Sequence, residues 1–135
     1  SDKRGGVYIW RKGGAVMRIE IKRIYAPAEE ADGRRVLVDR LWPRGVSKRD
    51  ARLDEWLKDA APSPGLRAWF GHREENFERF SELYRVELGA DPEKKAAVKH
   101  LLEVAKEGKL TLLYAARDGT ANHAAVLREV LEERL

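Results

Sequence analysis

The feature that most constrains the fold is a pair of short apolar runs, Val-Leu-Val at residues 36–38 and Leu-Thr-Leu-Leu-Tyr at residues 110–114. Runs of this length without polar alternation are typical of strands that are covered on both faces. A long, helix-rich stretch separates the two runs, and a parallel pair of strands needs a crossover connection of that kind. The pattern therefore predicts two adjacent parallel strands in the centre of a sheet.

The rest of the chain supplies one further strand pattern and several helices. Residues 18–25 alternate like a half-buried strand, and the strand at 34–42 is expected to end at Pro43. Helices are predicted at 48–52, 66–70, 74–88, 91–107 and 122–135, whereas 53–60 fits either a short strand or a helical turn. The predicted fold class is α/β, a three-layer single domain with a small, mostly parallel or mixed sheet flanked by helices.

Composition excludes several classes of protein. With 43% hydrophobic and 37% charged residues, the chain has the composition of a folded globular domain. It contains no cysteine, which excludes disulfides, thiolate zinc sites and cysteine nucleophiles. Neither a bilayer-spanning apolar run nor a secretory signal pattern is found, so the expected setting is cytoplasmic, without a membrane partner.

The net charge of +4 depends on the first residues of the chain. Residues 1–16 carry four of the 27 basic residues and one of the 23 acidic residues, so the remainder has a net charge of only +1. We interpret residues 1–16 as a cloning remnant or a flexible extension ahead of one domain at 17–135. The basic balance is therefore weak evidence for nucleic-acid binding.

Two stretches stand out for their residue types. The first is VDRLWPRGVSK at 38–48, followed by WLK at 56–58, APS at 61–63 and LRAWFGH at 66–72; the second is LLYAARD at 112–118, followed by NHA at 122–124. Together they resemble the YeaO-like branch of a widespread prokaryotic domain family of uncharacterised function, over nearly all of residues 17–135. The resemblance implies a fold and the location of a site, but no reaction.

A related branch of that family carries cysteines and a Cys-His-Arg pattern in the loop that matches residues 114–124. This chain has Tyr114, Asn122, His123 and Ala124 at the corresponding positions. Thiol chemistry is therefore not implied for it, although Tyr114 and Asn122 remain candidate ligand contacts.

The first candidate loop follows the strand at 34–42. Ligands of open α/β sheets bind beyond the carboxyl ends of the strands, where Asp39 and Arg40 are expected. Arg40 and Arg44 are suited to hold a phosphate or carboxylate, and Trp42 offers a face for stacking a ring. Asp39 is a candidate for proton transfer. The structural alternative is that Asp39 pairs with an arginine to fix the loop and that Trp42 belongs to the core.

The second candidate loop follows residues 110–114 and leads into the last helix. Arg117 is a candidate anion ligand, while Asp118 and His123 are candidates for proton transfer. The alternative for Asp118 and Asn122 is helix capping, which does not exclude a site. His72, just after a helix end, is a second candidate acid or base.

Other motifs exclude specific chemistry. The three histidines lack the spacing of metal ligands, so we predict no metal site, and His100 is expected to be solvated. The glycines form no phosphate-binding loop, and no serine lies in a nucleophile-elbow motif. The sequence names no cofactor.

Three functions remain open from the sequence. The leading hypothesis is a small enzyme or ligand-binding domain for an anionic small molecule, such as a nucleotide or phosphorylated compound. The second is a nucleic-acid-binding module that uses the basic residues of the segment 34–58. The third is a non-catalytic interaction subunit. A recessed cleft favours the first, and a flat basic face favours the second.

Overall fold

The computed structural model describes residues 8–11 and 14–135, with side chains from residue 18 onward. Its strands are β1 (Tyr8–Arg11), β2 (Gly14–Met17), β3 (Ile19–Arg23), β4 (Arg34–Leu37), β5 (Glu55–Trp56) and β6 (Leu110–Tyr114). Its α-helices are α1 (Lys48–Ala51), α2 (Pro64–Phe70), α3 (Phe77–Ala90), α4 (Pro92–Glu107) and α5 (His123–Arg134). The result is a single α/β domain, as the sequence predicts.

The main sheet has four strands in the order β3-β6-β4-β5, and all its pairings are parallel. The two apolar runs lie side by side in its centre, with Val36 opposite Leu112 and Leu37 opposite Leu113. The prediction of adjacent central parallel strands is confirmed. Every residue of β6 is buried, which explains why its sequence lacks a polar face.

Side chains alternate between two cores of unequal size. Val36, Val38, Leu110 and Leu112 belong to a large cluster with residues of α2, α3, α4 and α5. The opposite face carries a small cluster, formed by Ile24, Leu37, Ala51 and Leu113 with Trp42 and Trp56 packed on it. Of the α-helices, only the four-residue α1 contributes to this second cluster, so the third layer of the domain is thin.

Some element boundaries differ from the predicted ones. The strand expected over 34–42 ends at Leu37; Val38 still donates its N–H to the oxygen of Leu113, after which the chain leaves the sheet. A 3₁₀ turn at Glu74–Asn76 precedes α3, which then continues through Gly89 to Ala90 instead of stopping at Leu88. Residues 53–60 contain both of the proposed elements, β5 and a 3₁₀ turn at Lys58–Ala60.

Polar side chains are buried at the end of the sheet where β4 and β6 begin. The Asp32 carboxylate accepts hydrogen bonds from Lys22 at 2.9 Å and from Arg35 at 2.5 Å. Arg35 also donates to the carbonyl oxygens of Ala51 and Arg52, while Thr111 donates to the carbonyl oxygen of Asp32. This network joins the loop before β4 to β3, β6 and the end of α1.

Residues ahead of β3 include an antiparallel hairpin of β1 and β2, in which Tyr8 is opposite Met17. This hairpin forms its own two-stranded sheet, separate from the four-stranded one. Part of the segment 1–16 therefore forms regular structure, whereas the rest of the expectation for 1–16 lies outside the described residues. Among the described residues, no helix is long and apolar enough to cross a bilayer.

Candidate functional site

The two unusual loops meet in one cleft at the carboxyl ends of β4 and β6. The cleft has a volume of about 620 Å³ and is lined by residues 39–44, by residues 115–118 and by the start of α5. Residues from α2, α3 and the loop between them complete its wall. The loops converge because β4 and β6 are adjacent and parallel, so that their carboxyl ends are at the same edge of the sheet.

Specific hydrogen bonds hold the first loop in place. The indole of Trp56 donates to the carbonyl oxygen of Asp39 at 2.7 Å, and the indole of Trp42 donates to Val46 at 2.7 Å. The Tyr25 hydroxyl donates to the carbonyl oxygen of Arg44 at 3.0 Å. These bonds fold residues 39–46 into a compact loop with an ordered backbone beside the cleft.

The second loop is attached to the first and to β3. The backbone N–H of Ala115 donates to Asp39 Oδ2 at 3.1 Å, so one carboxylate joins both loops. Arg23, at the end of β3, donates to the carbonyl oxygens of Ala115 and Ala116. The relative position of the two loops is therefore determined by contacts within the sheet edge.

The predicted site residues come together at this cleft. All ten of them except Tyr114 line it, including Arg44 and His123, which are 79 positions apart in the chain. Tyr114 is buried beneath the second loop, and burial raises the pKa of its hydroxyl. Its contribution is to the core under the site.

Asp39 and His123 form a close pair in the cleft wall. His123 Nε2 lies 3.0 Å from the carbonyl oxygen of Val38 and 3.1 Å from Asp39 Oδ1. Only the contact with Val38 has hydrogen-bond geometry, so Asp39 Oδ1 is buried beside the imidazole without a hydrogen-bond donor. The ring of Tyr84 contacts that of His123 edge-on, with centroids 6.3 Å apart. Asp39 and His123 are thus neighbours in the cleft wall without a hydrogen bond between them.

Asp118 and Asn122 have structural partners in the second loop. Asp118 Oδ1 accepts hydrogen bonds from Thr120 and from the N–H of Ala121, and the latter contributes most to lowering the pKa of Asp118. Asn122 caps α5: its Oδ1 accepts from the N–H of Ala125, and its Nδ2 donates to the carbonyl oxygen of Asp118. The helix-capping interpretation is confirmed for Asn122, whereas Asp118 stabilises the loop before the cap; both still line the cleft.

Trp42 lines the cleft but also has a packing role. Its ring meets that of Trp56 edge-on with centroids 5.3 Å apart, and it packs on the small cluster of the sheet. With its N–H bonded to Val46, Trp42 is held as part of the loop scaffold.

Four arginine side chains line the cleft. Within the described part of the chain, no ion pair or side-chain hydrogen bond engages these guanidinium groups, whereas those of Arg79 and Arg85 are paired with glutamates. We call them the cleft arginines: Arg40, Arg44, Arg67 and Arg117. A guanidinium group that has no partner among the described residues keeps its donors available for a carboxylate or phosphate.

The other two histidines differ in position. His72 lines the cleft, is exposed, and has a backbone φ of 58°, just after Gly71 with a φ of 56°. Gly71 and His72 thus have left-handed backbone conformations that end α2 and set the direction of the His72 side chain. His100 was expected to be solvated, but it is only partly exposed, and its Nε2 lies 2.8 Å from a carboxylate oxygen of Glu55.

Several cleft residues were not predicted from the sequence. Tyr25 lies two residues after the end of β3, and the rule that placed the other candidates at strand ends would also have indicated it. Arg67 lies on α2, where the sequence around it is as consistent with a structural ion pair as with a ligand contact. Phe70 and Phe80 stack with centroids 4.3 Å apart and form an apolar wall, although their helical spacing indicates only a core. In the described residues, no group of three or more His, Asp or Glu side chains is arranged to hold a metal ion.

Comparison with known proteins identifies relatives of this chain. The family model described as "Inactive DUF488-N3 subclade" matches residues 18–135. The uncharacterized protein YeaO of Escherichia coli K12 is 49% identical over 115 residues, which cover 85% of this chain and 97% of YeaO. An uncharacterized protein of Mycobacterium tuberculosis H37Rv is 39% identical over 117 residues, covering 87% of this chain and 96% of that protein. No solved structure matches.

Proposed function

The chain belongs to the YeaO-like DUF488 family, and from that premise and the geometry of the cleft we propose that it binds an anionic small molecule. The ligand is a nucleotide or another phosphorylated compound, and it binds between the two loops at the carboxyl edge of the sheet. The cytoplasm, where such compounds are abundant, is the compartment that suits this proposal.

The observation that carries the proposal is the group of four cleft arginines around one recess. The cleft is also lined by two carboxylates, those of Asp39 and Asp118, so the four arginines exceed the acids by two charges. The recess therefore has an excess of positive charge and of hydrogen-bond donors. Such donors bind carboxylate and phosphate groups in fixed geometries.

The size and walls of the cleft favour a small organic anion. Its volume is within the range of about 300–1,000 Å³ that is usual for small-molecule sites. Phe70 of α2, Phe80 of α3 and Pro62 provide the cleft with apolar wall in addition to the charged groups of the two loops. A ligand with an anionic group and an apolar or aromatic body matches both sides.

Binding without turnover is the form of the function that we propose. The family model that matches the chain is described as inactive, and the chain has no cysteine nucleophile. The side chains of Asp118 and Asn122 are engaged in the loop and the helix cap, which leaves few groups for catalysis. His123, with Asp39 beside its ring, remains as the group that contacts the ligand or its proton.

The proposal is tested with two double variants that remove the same charge. R40A/R44A removes two cleft arginines, whereas K48A/R49A removes two exposed cations of α1 from the same segment of the chain, outside the cleft lining. Calorimetric titration with inorganic phosphate and with adenosine monophosphate measures their affinities. We expect R40A/R44A to bind at least about tenfold more weakly, since a hydrogen bond to a charged group contributes about 1.5–3 kcal/mol.

The K48A/R49A variant is expected to bind these ligands like the unmodified chain. Equal losses of affinity in the two variants would mean that net charge, not the cleft, determines binding. Saturable binding by neither the unmodified chain nor its variants would refute the proposal.

The nucleic-acid alternative has less support because the basic residues of 34–58 do not share one face. Arg35 is buried with Asp32, Arg40 and Arg44 line the cleft, and Lys58 lies over the ring of Trp56 at 4.2 Å. Binding of a single-stranded oligonucleotide that is lost in K48A/R49A and retained in R40A/R44A would favour this alternative. The interaction-subunit alternative has as its main support the exposed side chains of Leu41 and Trp69.

A further inference from the structure

The two nitrogens of the His123 ring have different surroundings. Nε2 lies between two acceptors, the carbonyl oxygen of Val38 and the carboxylate of Asp39. A nitrogen between two acceptors carries a hydrogen, because a lone pair in that position would be repelled by both. The tautomer of the neutral ring is therefore fixed, with the hydrogen on Nε2 and a lone pair on Nδ1.

The second nitrogen, Nδ1, is the ring nitrogen of His123 that remains for a ligand. Within the described part of the chain it has no hydrogen-bond partner, and it does not belong to the buried unpaired atoms, which are found on Asp39, Arg128 and Glu132. His123 itself lines the cleft. Its Nδ1 lone pair is thus an acceptor in a recess whose other polar groups are mostly donors.

We propose that His123 takes up one proton when an anion binds in the cleft, so that His123 makes binding depend on pH. This inference rests on the proposed anion-binding function. It identifies His123 as a residue that determines specificity through the charge of the bound state, and it requires no chemical turnover.

The physical reason is the contact between Nδ1 and the ligand. An anionic oxygen and a lone pair cannot approach within hydrogen-bond distance unless a proton lies between them. In the free protein the cleft arginines disfavour a further positive charge, and a bound anion cancels that repulsion. The carboxylate of Asp39, next to Nε2, then stabilises the imidazolium.

Other ionisable groups near His123 do not replace this role. Tyr84, from α3, contacts the ring by its edge, and burial raises its pKa, so it stays neutral. Asp118 is held ionised by its loop, and the cleft arginines remain charged throughout. His72, in the loop after α2, is the other histidine among the described residues that line the cleft, and it requires its own variant.

Sulfate is the decisive probe because it stays fully ionised near neutral pH and cannot itself supply the proton. Calorimetric titrations of the full chain in two buffers of different ionisation enthalpy measure the number of protons taken up. At about pH 7.5, where free histidine is mostly neutral, we expect close to one proton per sulfate bound. Above that pH the affinity should fall about tenfold per unit.

The variants assign the proton to a residue. H123Q retains a donor toward Val38 and Asp39 but lacks Nδ1, and we expect it to bind sulfate without proton uptake and with little dependence on pH. H100Q, outside the cleft, is the matched control and should keep the uptake of the unmodified chain. The proton count of the unmodified chain is a test even if H123Q does not fold.

The outcomes separate this inference from the proposed function. Sulfate binding with no proton uptake overturns the role of His123 and leaves anion binding intact. Loss of uptake in H72Q, with retention in H123Q, also overturns it. Absence of binding of sulfate, phosphate and adenosine monophosphate alike refutes the proposed function, and the inference with it.

Discussion

At the scale of single residues, the same side-chain types act differently according to their partners. The carboxylate of Asp32 is buried and accepts hydrogen bonds from Lys22, from Arg35 and from the N–H of Glu29. Burial alone would raise the pKa of Asp32, but these donors outweigh it and lower that pKa. Asp39 is less completely paired: its Oδ2 accepts from Ala115, while its Oδ1 has no hydrogen-bond donor. Arg35 and Glu29, which bond to Asp32, are only three residues away from it, whereas Ala115 is 76 positions from Asp39, so the sequence gives no sign of that contact.

The first prediction concerns Asp32. Asp32→Asn leaves Arg35 buried without its counter-charge and Lys22 with only Glu29 as a partner, and we expect a loss of about 3–5 kcal/mol in the free energy of unfolding. Glu82→Ala, which breaks only the exposed pair with Arg79, should cost less than about 1 kcal/mol. Urea denaturation measures both. Similar small losses would show that the network is dispensable.

The effect of Asp32 should also depend on pH in one direction. Because its pKa is lower in the folded chain, the ionised carboxylate stabilises the fold above the ordinary pKa of aspartate, about 3.9. That stabilisation is lost as the pH falls through the folded value. The stability difference between the unmodified chain and Asp32→Asn should therefore be constant near neutral pH and shrink below about pH 4.

At the scale of elements, the sequence predicts the centres better than the ends. The run at β6 was predicted correctly over its whole length because its burial on both faces is written in its composition. The end of β4 was not predicted correctly. Residues 39–42 lie outside the sheet because distant side chains hold them there; one example is the hydrogen bond that the Trp56 indole donates to the carbonyl oxygen of Asp39. Similarly, Gly89 does not end α3, since its backbone is not in the left-handed conformation.

The second prediction uses two glycines in different elements. Gly33, just before β4, has a φ of 64°, and a Cβ there would lie 2.5 Å from the carbonyl oxygen of Lys109. We expect Gly33→Ala to destabilise the fold by at least about 3 kcal/mol, from backbone strain and from the clash at the start of β6. Gly89→Ala meets nothing within 4 Å and should be neutral or stabilise α3 by about 0.5–1 kcal/mol. Thermal denaturation measures the stability of both variants. Equal effects would contradict the close approach of Gly33 to Lys109.

At the scale of the whole molecule, one rule locates the cleft and tertiary packing completes it. Parallel strands bring their carboxyl ends to one edge of the sheet. This rule is sufficient to place Asp39, Arg44 and His123 near one another, where the cleft is found. The wall formed by α2 and α3 was not foreseeable, because the periodicity of Phe70 and Phe80 indicates burial without saying what lies beside it. Whether a cleft arginine has an acidic partner likewise depends on where the fold places the aspartates and glutamates, which the sequence does not show.

The third prediction concerns residues 1–16. The hairpin of β1 and β2 pairs only with itself in the described sheets, so its removal leaves the four-stranded sheet complete. Deleting residues 1–16 is expected to change Tm by no more than about 2 °C, which corresponds to a few tenths of a kcal/mol. A fall of several degrees in differential scanning calorimetry would mean that this segment contributes to the core.

The central claim is that the two loops form one anion-binding cleft, and an NMR titration tests it most directly. Inorganic phosphate is added to the ¹⁵N-labelled chain while the backbone amide shifts are followed. The account predicts that amides in residues 39–44 and 115–123 shift together and saturate with a single Kd, while those of α1 remain unchanged. Shifts that are concentrated in α1 and residues 52–58, or that grow linearly everywhere without saturation, would contradict it.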